Sequence, residues 1–161
     1  MSGRDCDIAI VGGGLSGGLI ALALAVHRPD VTVRLVEAGE TLGGNHRWSW
    51  FATDLSPEGA ALMDGFHMAE WDDGYHVRFP EYLRHLKSSY RSLASSDFAT
   101  RLERELPAGT VMTGTQVSAV DESGVDLAGG TRISARSVID CRGFAPTDTL
   151  EGGWQVFMGR H

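Results

Sequence analysis

Cys6-Asp7-Ile8-Ala9-Ile10-Val11-Gly12-Gly13-Gly14-Leu15-Ser16-Gly17-Gly18-Leu19-Ile20-Ala21 runs from an apolar segment into Gly-x-Gly-x-x-Gly and on into small and apolar residues. The pattern predicts a buried strand over residues 8–11, a tight turn, and a helix over residues 15–27 with Pro29 past its end. Residues 31–36 are rich in Val and read as a second parallel strand, which completes a βαβ unit with a right-handed crossover. Gly12 permits the turn out of the strand, Gly14 lets the backbone approach a pyrophosphate, and Gly17 lets the helix pack close to the strand. Gly13, Leu15 and Ser16 fill out the loop and the helix start, where free N–H groups and a partial positive charge favour a phosphate. Glu37 lies about twenty residues beyond Gly17, at the end of the second strand, followed by Ala38. Its carboxylate can accept from both hydroxyls of a ribose and would repel a 2′-phosphate, so the pattern points to FAD or NAD rather than NADP. The competing reading is a glycine-rich turn with a surface glutamate.

The totals bound the rest. A chain of 161 residues is the size of one domain, and 42% hydrophobic with 22% charged residues reads as soluble and globular. A net charge of −7 with no basic stripe argues against a nucleic-acid partner. Cys6 and Cys141 form no metal or disulfide pattern, fit a reducing cytosol, and read as buried small hydrophobes. The apolar stretch 8–26 is interrupted by five glycines, which argues against a membrane span or a signal peptide.

Further along, residues 38–56 read as an irregular, functional loop. Ser56-Pro57-Glu58 reads as a cap and first turn of a helix ending at Met63. Residues 75–79 alternate as a strand does, and 95–106 read as a helix capped by Ser95 or Ser96. Short strands over 111–113, 117–120, 124–127 and 132–134, with tight turns between, predict an antiparallel meander. Residues 137–141 read as another buried strand. Residues 153–161 read as a strand that has just begun, so the chain is expected to be a truncated one.

Two resemblances sharpen this picture. Glu37 followed by Gly43-Gly44 resembles the FAD-dependent enzymes of the glutathione-reductase type, in which the Gly-Gly segment runs beside the cofactor; the meander between parallel strands resembles them too. They imply an α/β, Rossmann-like FAD-binding fold with an antiparallel β-meander, here incomplete, and favour FAD over NAD. By analogy with that fold alone, Val117 contacts adenine through its backbone. From Gly43 the chain reads Gly-Gly-Asn-His-Arg-Trp-Ser-Trp-Phe. This resembles the Gly-Gly-Asn-His-x-Trp-Ser segment of the bacterial lycopene β-cyclases, which form the β-ionone rings of β-carotene. Tyr75-His76-Val77-Arg78-Phe79-Pro80, Val138-Ile139-Asp140-Cys141-Arg142-Gly143-Phe144 and Gln155-Val156-Phe157-Met158-Gly159 continue the match across essentially the whole chain. Members of that family are more than twice this long, so residues 1–161 correspond to a single, partial dinucleotide-binding domain, without the C-terminal substrate-covering portion.

The resemblance implies an enzyme that needs reduced FAD, with NAD(P)H as electron source, yet catalyses a non-redox isomerisation. A terminal double bond of lycopene is protonated, the neighbouring double bond attacks the carbocation, a ring closes and a proton leaves. Because lycopene dissolves in membrane, a cytoplasmic protein peripherally associated with the bilayer is implied. Asn45 and His46 would lie beside the cofactor, with Arg142 and Gly143 at the strand end that lines it. His46 is a candidate to hydrogen-bond the flavin or relay a proton, or is a loop histidine tied to nearby backbone. Asp140 is a second weak catalytic candidate, or an ion-pair partner of Arg142. Trp48, Trp50 and Phe51 are candidates for the wall of a polyene channel, with core packing the alternative for at least one. Arg47 and Arg78 are candidates to reach phosphate or another acid, with solvated arginines the alternative. Two rival readings remain at this point: another flavoprotein, either a monooxygenase or a polyene desaturase, and a truncated, inactive cofactor-binding module.

Overall fold

The structure, a computed structural model, describes residues 3–143; Phe144, the 155–159 segment and the strand expected over 153–161 lie outside the described residues. The chain enters through β1 (Cys6–Val11), α1 (Leu15–His27) and β2 (Val33–Val36), the expected βαβ unit. It continues through β3 (Arg47–Phe51), a 3-10 turn (Ala52–Asp54), α2 (Pro57–Met63) and β4 (Ala69–Trp71). Next come the hairpin β5 (Tyr75–Phe79) and β6 (Tyr82–Leu86), then β7 (Tyr90–Ala94) and α3 (Ser95–Glu105). β8 (Val111–Met112), β9 (Val117–Asp121), β10 (Gly124–Leu127) and β11 (Arg132–Asp140) follow.

The main sheet has the order β8-β2-β1-β11-β10-β9. Its first four strands are parallel, and β10 and β9 run antiparallel at one edge. The two strands expected over 132–134 and 137–141 are one strand. The start of β11 pairs with β10, and its remainder, from Ala135, runs beside β1. A single nine-residue strand thereby ties the meander to β1.

Alternation along the central strands divides the core in two. Ile10 and Leu35 face α1 and α3, where they join Ala21, Leu22, Leu93, Phe98 and Leu102. Ala9, Val11 and Val36 face the other way, against Val125, Ile133 and Ala135 of the meander. Gly18 on α1 leaves room for Phe98 and Leu102, since a Cβ there would overlap both side chains. Phe98 is fully buried, meets Trp48 edge-on at 5.2 Å and stacks on Phe66 at 5.5 Å, so it fastens α3 to β3 and to the segment after α2.

Arg101, also buried on α3, donates through Nη1 to the Leu62 carbonyl at 2.8 Å and lies 4.2 Å over the Phe66 ring. It supplies a cation where the carbonyls of α2 need one. The expected Ser56 cap is present: Gly59 N–H donates to its hydroxyl at 3.2 Å.

Two expectations are corrected. The segment 38–56 is not wholly irregular, because Arg47–Phe51 forms β3, the edge of a three-stranded antiparallel sheet with the order β3-β7-β4. Its Trp, Trp and Phe suit a half-buried pleated surface, but its partner β7 lies about forty residues away in sequence. Neither Ser95 nor Ser96 caps α3. Ala94 holds the cap position, and the Ser95 hydroxyl accepts the His46 N–H at 3.3 Å instead.

The β9–β10 turn carries a titrating cluster. The Ser123 hydroxyl and the Arg132 guanidinium hold the Asp121 carboxyl down, from an ordinary 3.8 to about 2. Its folded value lies below its unfolded one, so the stabilisation is present above pH 3.8 and is lost as pH falls towards about 2. Arg132→Ala is expected to move the Asp121 titration up towards 3.8 when followed by carboxyl NMR; an unmoved midpoint would leave Arg132 without this role.

Candidate functional site

At the carboxyl ends of β1, β2 and β11 lies a cleft of about 380 Å³. This is where parallel sheets bind nucleotides. Gly12, Gly14, Glu37, Ala38, Val117, Arg142 and Gly143 line it, together with Val11, Val36, Thr115, Gln116 and Cys141. Gly12 has φ +99°, and a Cβ there would meet the Cys141 carbonyl carbon at 2.9 Å. Gly17 touches the same turn, since its Cβ would collide with the Gly12 carbonyl oxygen. Gly14 differs from both: a Cβ there has no protein atom within 4 Å and would project into open space.

Helix α1 begins at Leu15 with Gly14 as its cap residue, no side chain capping it, and no acid in its first turn. Ser16 is exposed there. The first N–H groups of α1 are therefore left for an external acceptor.

Glu37 closes the other side. Gly13 N–H donates to its Oε2 at 2.6 Å and Gly39 N–H donates to its Oε1 at 2.7 Å. Each carboxylate oxygen receives one bond and retains acceptor capacity. The Glu37 backbone joins β8 and its following loop through Glu37 N–H to Met112 O at 2.8 Å and Thr115 N–H to Glu37 O at 2.9 Å. That pairing brings Thr115, Gln116 and Val117 to the cleft. No motif announces Thr115 or Gln116, and the only available signal was the short strand at 111–112 that carries them in.

The Gly-Gly segment lies against the cradle: Gly43 N–H donates to the Gly13 carbonyl at 2.8 Å. Gly43 (φ +78°) is buried against Ser95 and Phe98, while Gly44 (φ +59°), Asn45 and His46 are exposed. His46 is tied to α3 at both backbone ends, its N–H on Ser95 Oγ and its carbonyl accepting from Ser95 N–H at 3.0 Å. Its ring lies 6.1 Å from that of Trp48, centroid to centroid. None of these four residues lines the cleft itself.

Asp140 and Arg142 form a bidentate pair, with Nε to Oδ1 at 2.9 Å and Nη2 to Oδ2 at 2.7 Å. The Arg142 guanidinium holds the Asp140 carboxyl below the usual carboxylate range. At neutral pH Asp140 is thus an anion, which suits the ion-pair reading and is wrong for a proton donor. Cys141, expected to be buried, is half-buried and lines the cleft. Burial, with Asp140 beside it, pushes its thiol up, so it is not an activated nucleophile.

Strand alternation separates the three aromatic candidates. Trp48 and Trp50 pack against the main core, whereas Phe51 points to the opposite face. There its ring lies 5.8 Å from Tyr75 and 5.2 Å from Tyr90, around an apolar hollow of about 300 Å³. Arg47 and Ser49 share that face, both within hydrogen-bonding distance of the Ser92 hydroxyl. Neither Arg47 nor Arg78 lines the cleft.

Known proteins share both fold and sequence. Crystalline 2-methyl-3-hydroxypyridine-5-carboxylic acid oxygenase superposes with a TM-score of 0.61 over 84% of this chain and 39% of its own, at 17% identity. The Rossmann-like α/β fold is thus shared where the sequence is not. A dual trans-enoyl reductase/FAD-dependent monooxygenase of Aspergillus terreus is 31% identical over 86% of this chain and 23% of its own length. The lycopene beta-cyclase of Pseudescherichia vulneris is 38% identical over 96% of this chain. The chain spans about two-fifths of that relative, 39% of its length. The family model for lycopene cyclase protein matches residues 7–161, through the glycine cradle, Glu37 and β3 alike, and the chain belongs to the lycopene cyclase family.

Proposed function

We propose that this chain is the N-terminal, FAD-holding part of a lycopene β-cyclase. The carrying observation is that one unbroken family match contains the cleft, the Gly43-Gly44 segment and the aromatic strand β3. The cleft fits the ADP half of FAD. Open space at Gly14 and the uncapped start of α1 suit the pyrophosphate, and Leu15, Ser16 and Gly17 present the N–H groups. Glu37 takes the ribose hydroxyls on its spare lone pairs, and Thr115, Gln116 and the Val117 backbone flank the adenine. Arg142 and Gly143 close the far wall.

The reaction proposed is the acid-catalysed closure of β-ionone rings on lycopene, without net redox change. When bound, reduced FAD, with NAD(P)H as its electron source, would supply negative charge for stabilising a cation. Phe51, with Tyr75 and Tyr90, offers aromatic faces to a cationic polyene end around an apolar hollow. Trp48 and Trp50 support this wall from behind. His46, held next to Gly44 by its backbone clasp on Ser95 and exposed, is the residue proposed to hydrogen-bond the flavin or relay a proton. The proton donor is assigned to the portion of the family that lies beyond this chain. Lycopene is drawn from a membrane, at which the cytoplasmic protein is peripherally bound.

Glu37→Ala is expected to weaken FAD binding by at least about tenfold, the scale of a lost charge-assisted hydrogen bond. Flavin fluorescence titration measures it, and an unchanged affinity would remove Glu37 from the site. The function itself is tested by a chimera in which residues 7–161 replace the matching segment of a curated relative, expressed in lycopene-accumulating cells. β-Carotene is the expected product. A chimera that retains flavin but leaves lycopene unconverted would overturn the reading, and substrate-dependent oxygen uptake would support the monooxygenase alternative.

A further inference from the structure

The β5–β6 hairpin forms its own two-stranded sheet, closed by the two-residue turn Pro80-Glu81. Its register sets His76 directly opposite His85, with ring centroids 4.4 Å apart and the ring planes 15° from parallel. Directly opposed residues of an antiparallel pair hold their Cβ atoms about 4.5–5.5 Å apart, a span that two imidazoles sharing one ion can bridge. The base is braced by Gly74 (φ +86°), which sits against the Leu86 carbonyl where no Cβ would fit.

The two rings are held differently. His85 Nε2 lies 2.6 Å from the Asp73 carbonyl oxygen. A carbonyl only accepts, so Nε2 carries the proton and the lone pair of the neutral ring is on Nδ1. A histidine that donates one ring N–H to a backbone carbonyl is in the form in which proteins present it to a metal. The His76 ring stacks on His85 and makes no hydrogen bond among the described residues. A turn about its Cα–Cβ and Cβ–Cγ bonds opens the stack and brings a nitrogen round to share an ion with His85 Nδ1.

The surroundings select the kind of ion. Asp72, Asp73, Gly74 and Lys87 line a hollow of about 500 Å³ together with the pair. Asp72 is spent on Arg91, whose Nη2 donates to its Oδ1 at 2.6 Å. Asp73 and Lys87 offset each other, so the hollow offers little excess negative charge. Among the described residues no group of three or more His, Cys, Asp or Glu side chains gathers to hold a metal. Ca²⁺ and Mg²⁺, which take several oxygen ligands, are thereby disfavoured. An ion for which imidazole is itself a good ligand fits, with water at its remaining positions.

We propose that His76 and His85 form a two-imidazole site for a divalent transition-metal ion of the zinc type, which pins β5 to β6. Tyr75, next to His76 on β5, lies 5.8 Å from Phe51 and 6.4 Å from Tyr90, ring to ring. A pinned hairpin therefore steadies one wall of the aromatic hollow. The site itself rests on the hairpin register and not on flavin or ring closure.

The test is calorimetric titration of the purified chain with ZnCl₂ at neutral pH, with MgCl₂ for comparison. One zinc ion per chain is expected, and no magnesium. His76→Asn and His85→Asn are each expected to weaken zinc binding by at least about tenfold, the least that disturbing a metal-bound histidine costs. His67→Asn, elsewhere on the surface, is expected to leave it unchanged. Circular dichroism verifies that the variants fold. On the wild-type chain, paramagnetic Co²⁺ is expected to broaden the ring proton signals of His76 and His85 before those of the other histidines. No zinc binding by the wild-type chain, wild-type affinity in either folded variant, or broadening centred on another histidine would each overturn the proposal.

Discussion

Gly17→Ala is expected to destabilise the protein by about 3 kcal/mol, at the upper end of what overpacking costs, and to lose the nucleotide cleft with the fold. A Cβ at Gly17 would drive into the Gly12 carbonyl, and the Gly12 turn is itself held between Val36 O, which accepts its N–H at 2.8 Å, and the Cys141 backbone. Neither side can retreat without separating α1 from β1 or β11 from the sheet. Gly14→Ala supplies the contrast. Its Cβ meets no protein atom within 4 Å, so unfolding in urea is expected to change little. The same methyl occupies the space in which a pyrophosphate would approach the backbone, and flavin binding is expected to disappear. Urea midpoints and flavin titrations on the two variants separate these roles. Comparable destabilisation of both would show that the glycines serve packing alone.

Phe98→Ala is expected to destabilise by about 4 kcal/mol, within the range for emptying a buried aromatic site, and to lower Tm by about 10 °C. Phe98 is the side chain on which α1, α3 and β3 converge, and the backbone of Gly43 rests on it as well. The cavity left behind would border Trp48 and Gly18, and neither can fill it without moving β3 or α1. Because Gly43 also bonds to Gly13, some loss of FAD affinity is expected alongside the stability loss. Thermal unfolding followed by circular dichroism provides the measurement, and a Tm within a degree or two of wild type would contradict this account of the core.

The βαβ unit and its glycine turn were legible because their signals are local. Gly-x-Gly-x-x-Gly, the small residues after it and Glu37 each act on near neighbours, and α1 begins and ends where the glycines and Pro29 place it. Ser56 likewise caps the residue three positions on. What stayed hidden depends on long-range pairing. β3 is defined by β7, and its Trp-Ser-Trp pattern inside a glycine-rich stretch looked like a loop. β11 was read as two strands because Ser134 to Ser137 interrupts the apolar pattern where the strand changes partners. Ser95 looked like a cap because its hydroxyl is of the capping type, but tertiary structure directs that hydroxyl to His46. The aromatic candidates were found as a group, and only the pleat shows that Phe51 faces away from Trp48 and Trp50. His76 and His85 are separated by a turn, and their spacing announces no pair until the register of β5 on β6 sets them opposite.

The most direct test of the cradle is a titration of FAD with the purified 161-residue chain, following quenching of flavin fluorescence and adding ADP as competitor. Saturable quenching that ADP reverses and Gly14→Ala abolishes is the result expected of the proposal that the cleft of Gly14 and Glu37 takes the ADP half of the cofactor. A chain that is folded by circular dichroism yet shows no saturable quenching, or quenching indifferent to both ADP and Gly14→Ala, would contradict it.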